Sequence, residues 1–483
     1  MRRLGVLFLS LLLCSCIGDP SQLGSNAGEP DVGSPDADPG EPDADAGEPD
    51  AGEPDADPGE PDVGRPDADA GPGVPCNDEE NPFGNGEFQP TGLNSICSEA
   101  HLQALGSDLA YLEGHFILDS DLTLEVSSNQ IGNVANPFIG TFDGRGYRIG
   151  NFNPPDSDTG GLFGAIGAGA TITDLVLANP EVNGADAAGA LVGVMLGGEI
   201  WEVKVAGGQV NPGAPNANDV GGLVGRMEGG VIRDADVTAV VQGSTGIGGL
   251  VGTMNGGEIS DSRAQGSVSG AHKVGGLAGF ASGVIRRSYV TGRSNQQASS
   301  VEVSFPEVDI VPFAGGLVGH CAMCEIHESS AEDVDASVSV TIGDSAFLIG
   351  GLVGVLEGDA EIKNSYVRRG ELTGLVGGYV GYLVGETMLQ PAIATSYSTA
   401  TGSLISGGEL PAFSPLETCL IGKGTLVPED SYFPGVEEDL DRCGEEATDR
   451  FDHIDTFQFW SSSFWNFDNI ESGQGPDHVY RLD

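Results

Sequence analysis

Five residues, Gly-Gly-Leu-Val-Gly, return along the chain at intervals that decide what it can fold into. The phrase stands at Gly160-Gly161-Leu162-Phe163-Gly164, Gly189-Ala190-Leu191-Val192-Gly193 and Gly221-Gly222-Leu223-Val224-Gly225. It begins again at Gly248, Gly275, Gly315 and Gly350, and a worn copy closes the series at Gly381-Tyr382-Leu383-Val384-Gly385. Eight copies make a repeat protein, whose length grows by adding units to one continuous core. Successive copies are 29, 32, 27, 27, 40, 35 and 31 residues apart. The two intervals of 27 define the bare unit, and the interval of 40 holds an extra stretch near residues 294–312.

An isoleucine follows each phrase at a nearly fixed distance: Ile172, Ile200, Ile232, Ile259, Ile285, Ile326, Ile362 and Ile393. Small or apolar residues stand three and five positions later, as in Leu175 and Leu177 or Ser262 and Ala264. Strict alternation would put the second and fourth positions inward instead. The phase therefore slips by one, which predicts a corner or bulge after each isoleucine. The residues at that corner are Asp174, Glu202, Asp234, Asp261, Arg287, Glu328, Asn364 and Thr395. A third short strand follows, as in Gly266-Ser267-Val268-Ser269-Gly270. Three strands in about 27 residues describe one coil of a parallel β-helix, and 77 glycines argue against helical repeats. The predicted fold is all-β, a right-handed parallel β-helix of nine to eleven coils, roughly 45–55 Å long at about 4.8 Å per coil.

Residues 98–112 read as a capping helix, with Ser98 as N-cap and leucines at 102, 105, 109 and 112. Strands are expected at 115–118 and 122–126, and a turn at Asp143-Gly144. Phe451, Phe457, Phe459, Trp460, Phe464, Trp465, Phe467 and Tyr480 are expected to cap the other end.

The unit Gly248-Gly249-Leu250-Val251-Gly252, Gly256-Gly257-Glu258-Ile259-Ser260-Asp261-Ser262 and residues 266–270 resembles the GLUG motif of bacterial surface proteins. That motif occurs in adhesin-like chains and beside some immunoglobulin A metallopeptidases. The likeness covers residues 95–470 and implies a surface scaffold. The peptidase part is missing: the nearest string to His-Glu-x-x-His, His327-Glu328-Ser329-Ser330-Ala331, lacks the second histidine.

Ahead of the repeats the chain changes character twice. Residues 1–16 form an export signal, with Arg2 and Arg3 before an apolar run too short to span a bilayer. Leu13-Cys14-Ser15-Cys16 resembles a lipobox, which implies a lipidated Cys16. An ordinary secretory peptide is the alternative. Ile17 in place of aspartate implies the outer membrane and display at the cell surface. Residues 17–75 form an acidic linker rich in Pro, Asp and Gly, expected to be disordered and extended. Residues 19–75 hold 17 acids and one base, which with the signal's +2 leaves −38 of the total −52 on residues 76–483. Such a charge excludes nucleic acid as a partner and favours cationic ones.

Six cysteines follow the signal in three local pairs, Cys76 with Cys97, Cys321 with Cys324 and Cys419 with Cys443, expected as disulfides in an exported chain. His320-Cys321-Ala322-Met323-Cys324-Glu325-Ile326-His327 leaves open a zinc site or a redox pair. The acidic corner column Asp174, Glu202, Asp234 and Asp261 suggests bridging calcium, against hydrogen-bonded turns on a solvated edge. No other cofactor is indicated.

The expected organisation is signal 1–16, linker 17–75, N-terminal cap and first coils 76–157, GLUG-repeat helix 158–410, and C-terminal coil and cap 411–483. The expected function is non-catalytic binding or adhesion by a monomer anchored through its lipid, with a glycan or surface protein as ligand. A polysaccharide-cleaving β-helix enzyme and a structural envelope lipoprotein are the alternatives.

Overall fold

The computed structural model describes Phe83, residues 419–423, 465–466 and 477–478, and residues 88–405 apart from 126–128, 155–158, 184–185, 211–216, 293–297, 305–310, 340–346, 376–378, 390, 395 and 399–400. The signal with Cys16, the linker, Cys76, Cys443, Thr395 and all the C-terminal aromatic residues but Trp465 lie outside the described residues.

The fold is all-β, a parallel β-helix. Each glycine phrase opens one coil, numbered here first to eighth from Gly160 to Gly381. The third coil shows the plan, with strands Asn218–Gly221, Val224–Met227, Val231–Arg233 and Asp236–Gln242. Its strands pair in parallel with their counterparts one coil away: Val224 with Val251, Ile232 with Ile259, Val237 with Ala264. The isoleucine strands form the longest stack, eleven deep, from Leu93–Ile96 to Ala392–Ala394.

Alternation explains why isoleucine alone points inward from its three-residue strand. Ile172 to Ile362 are fully buried and Ile393 nearly so, while in the third coil both flanking residues, Val231 and Arg233, face out. The glycine phrase needs a different account. Its leucine is not on a strand, for Gly222-Leu223 is a bend between two strands. Leu223 and Val224 are consecutive and both fully buried, which alternation forbids. A bulge resolves this, because the Leu250 carbonyl accepts both the Leu223 and the Val224 N–H, at 2.9 and 3.0 Å. The same double bond recurs at Leu277, Leu317 and Leu352.

The glycines answer to this close approach rather than to a left-handed backbone. A Cβ on Gly221 would collide with the Val224 carbonyl, and one on Gly222 with the Gly249 carbonyl of the next coil. In the second coil Ala190 takes the latter place, and its ladder bond to Gly222 stretches to 3.4 Å.

The slip after each isoleucine is also visible. Asp174, Glu202, Asp234, Asp261, Arg287, Glu328 and Asn364 all have φ between +45° and +55°. At this corner one left-handed residue turns the chain and resets which side faces in.

Before the coils, the expected helix over 98–112 is split. An α-helix covers Glu99–Leu105, capped by the Ser98 hydroxyl, and a 3-10 turn covers Leu109–Tyr111. Gly106 ends the first piece, and Asp108 starts the second by accepting the Ala110 N–H. The second strand expected there is shorter, Leu122–Thr123.

Candidate binding face

The outer side of the isoleucine stack is a ribbon two side chains wide. One edge carries Glu199, Glu258, Glu325 and Glu361, and the other Trp201, Arg233, Arg286, His327 and Lys363. Three of its rungs make contact from coil to coil. The Arg233 guanidinium lies over the Trp201 ring, 5.0 Å from its centre. Arg286 reaches Glu325 at 3.3 Å, and His327 lies 3.5 Å from Glu361.

The left-handed corner column borders this ribbon. It places Asp174, Glu202, Asp234 and Asp261 on successive coils, as their spacing required. Burial, reinforced by the charge of Asp261, raises the pKa of Asp234. Arg287 then closes the acidic run by gripping Asp261 through two bonds of 2.6 and 2.7 Å. Among the described residues, no group of three or more histidine, cysteine or acidic side chains is placed to hold a metal.

The stretch from His320 to His327 is pulled apart by the same geometry. Cys321 and Cys324 form a disulfide with their Cα atoms 5.4 Å apart, and both are buried. Their turn separates two faces of the coil, so the histidines do not meet. His327 stands on the ribbon, whereas His320 stands on the outer side of the Leu-Val face, bonded to Glu357 at 3.0 Å. Cys97 is disulfide-bonded as well. Cys419 begins the strand Cys419–Lys423.

His320 belongs to a cluster that the sequence reading did not find. Phe313 lies between His272 and His320, with ring centres 4.6 and 5.6 Å away, and the Lys273 ammonium sits over Phe280. Burial, aided by the charge of Lys273, lowers the pKa of His272 to about 4. The same two causes lower His320 against the pull of Glu357. Both imidazoles are therefore neutral at pH 7.

Two further ionic groups lie past the corner. Asp236 accepts bonds from Arg263 at 2.9 and 2.7 Å and an ion pair from Lys204 at 3.0 Å. Burial alone would raise its pKa, but these cations outweigh it and hold the carboxyl below its usual range. In the sixth and seventh coils the buried Glu332 accepts from Arg368 at 2.6 Å and from the Tyr366 hydroxyl, while Arg369 holds Asp333. A glycan-cleaving pair needs one carboxylate to protonate and one to attack or activate water. Glu332 and Asp333 are each already bound by an arginine. The signal that could have found these pairs is the period itself. Asp236 and Arg263 are 27 residues apart, Asp261 and Arg287 26, and Glu332 and Arg368 36. Opposite charges one coil apart must meet in a parallel stack.

No protein-family model matches the chain. No curated protein matches it. Among solved structures it is similar to a Bacteroides ovatus protein provisionally described as an immunoglobulin A1 protease. The identity is 16%, over 82% of this chain and 94% of that one, with a TM-score of 0.40. It is also similar to an IgA1 protease, at 18% identity over 70% of this chain and 21% of that one, with a TM-score of 0.31. This chain therefore spans about a fifth of the second protein's length. At such scores neither likeness decides what the chain does, and the GLUG resemblance rests on the quoted residues alone.

Proposed function

We propose that the solenoid is a non-catalytic binding module, and that it is carried at the cell surface on a stalk, residues 17–75, from a lipidated Cys16 in the outer membrane. The observation that carries this reading is the ribbon. Three of its rungs are engaged from coil to coil, Arg233 over Trp201, Arg286 with Glu325 and His327 near Glu361, which makes it a flat polar surface rather than a cleft of unsatisfied acids. A flat, regularly spaced face suits an extended ligand, a glycan or the surface of another protein, gripped by many weak contacts. Trp201 with Arg233 is the expected anchor, since aromatic and arginine side chains dominate such contacts. The net charge of residues 76–483 argues against nucleic acid. The module is taken to act as a monomer.

The test is a glycan and matrix-protein array probed with the chain and with a Trp201→Ala/Arg233→Ala double variant. Binding that the double variant loses supports the reading. Binding that it keeps moves the site off the ribbon, and hydrolysis or elimination of any arrayed polysaccharide would replace this reading with the enzymatic one.

A further inference from the structure

Asn255 and Gly256 occupy the exposed turn between strands Val251–Met254 and Glu258–Ser260 of the fourth coil. Asn255 is anchored through its backbone, its N–H donating to the Met227 carbonyl at 2.7 Å. Its side-chain amide donates to Glu228 on the coil before, at 3.1 Å. The next nitrogen differs, for the Gly256 N–H makes no hydrogen bond among the described residues. Gly256 also has no side chain to shield that nitrogen, and Gly257 follows with φ +94°. An aspartate-glycine step provides the contrast. Asp143 precedes Gly144, but the Gly144 N–H is committed to the Thr173 carbonyl at 2.8 Å.

We propose that Asn255 is a self-modification site, converted to aspartate and isoaspartate within the folded protein. The Gly256 nitrogen gives its proton to solvent base and attacks Asn255 Cγ. The new N–C bond closes a cyclic imide as the Cγ–Nδ2 bond breaks and ammonia leaves. Water opens the ring at either carbonyl, so asparagine and water become aspartate or isoaspartate and ammonia. The rung between the third and fourth coils then changes sign. An amide that donated to Glu228 becomes a carboxylate facing it, and like charges on adjacent strands repel. Arg226, 3.0 Å from Glu228, is already paired with that first carboxylate. In the isoaspartate product the backbone gains a methylene in the turn that sets up Ile259.

The full chain is held at mildly alkaline pH, sampled over days and mapped by peptide fragmentation that separates aspartate from isoaspartate. Asn255 is expected to convert ahead of Asn94, Asn133, Asn151 and Asn364, while Asp143 remains unisomerised. The rate should climb about tenfold per pH unit, because the attacking nitrogen must be deprotonated. Glu228→Ala should hasten the reaction by releasing the amide, and Asn255→Gln should abolish it without touching the fold. An intact Asn255 in a sample where those other asparagines convert overturns the proposal. So does isomerisation of Asp143 at the rate of Asn255, since a bonded nitrogen would then be no protection.

Discussion

The first three coils and the last five turn the same corner with different chemistry. Three residues past each isoleucine, the earlier coils place Leu175, Val203 and Ala235 inward, and the later ones Ser262, Ser288, Ser329, Ser365 and Ser396. In the first two coils the strand runs unbroken through the corner, as Thr171–Ala178 and Glu199–Val210, and Leu175 stays in register with Val203. From the third coil onward the strand breaks there, as between Val231–Arg233 and Asp236–Gln242. The serines fill the gap. Each accepts the N–H of the coil before, from Ala235 to Ser262 and onward to Ser396, at 3.2 Å every time. Each donates to the carbonyl two residues behind it, at 2.7 to 2.9 Å. A buried N–H must be paired, and a ladder bond and a hydroxyl are two ways to pair it.

The glycine phrase gives the sharpest way to break this contrast. Gly276→Ala would drive a methyl into the Gly316 carbonyl and against Val290. Backbone cannot yield as a side chain does, so a loss of about 3 kcal/mol is expected. Ala190→Gly in the second coil, which already tolerates a methyl there, should cost about 1 kcal/mol or less. Denaturant midpoints of the two variants check this, and equal losses would show that the second glycine is not held by contact. Ser329→Ala comes next. It leaves the buried Ser288 N–H without its acceptor, while the His327 carbonyl keeps the Arg287 N–H. The expected cost is about 2 kcal/mol, and a cost near zero would mean that the hydroxyl merely fills space.

How much of this was legible follows from what repeats. The bulk of the fold was, because inward Ile232 and Ile259 recur in one dimension and their spacing reports the coil. The corner was legible from the phase slip, and Asp234 and Asp261 do turn there. The bulge at Leu223 and Val224 was not, since two consecutive inward residues look the same as one strand residue and its neighbour. The serine column was seen only as small residues, because the need that Ser288 meets belongs to the backbone of another coil. The ribbon and the His272 cluster were hidden for a related reason. Outward residues are free to vary from coil to coil, so His272 and Phe313 meet without any shared motif.

Acid should divide the two regions in opposite directions. His272 is held neutral, its pKa lowered from 6.5 to about 4. Between those values the unfolded chain takes up a proton that the folded one refuses, so stability falls as pH drops through that window. The loss expected from His272 is on the order of 2 kcal/mol after allowing for its partial exposure. His320 acts in the same sense. On the N-terminal side, Asp143 and Asp234 have carboxyls raised by burial and by a neighbouring acid. Their cost at neutral pH disappears on acidification. Asp236, held low, loses its contribution only below the ordinary carboxylate value of 3.8. Hydrogen exchange at pH 7 and pH 4.5, corrected for intrinsic rates, should therefore show loosening around residues 272–281 and 313–322 and none around 231–242. His272→Leu should remove much of the difference, and uniform loosening would end the comparison.

The smallest effect tests what the corner asks of its left-handed residue. Arg287 sits at φ +45°, where a residue with a Cβ is strained by about 1 kcal/mol and glycine is not. It also holds Asp261 through a two-bond pair that is about one third exposed on each side, which makes the pair worth at most about 1 kcal/mol. Arg287→Ala loses the pair and keeps the strain. Arg287→Gly loses the pair and sheds the strain, so it should be the more stable of the two by about 0.5–1 kcal/mol despite removing more atoms. Urea melts of both variants decide it. If alanine proves the better residue, the corner is held by its hydrogen bonds alone, and the run of aspartates and asparagine along that column owes nothing to their ease in the left-handed region.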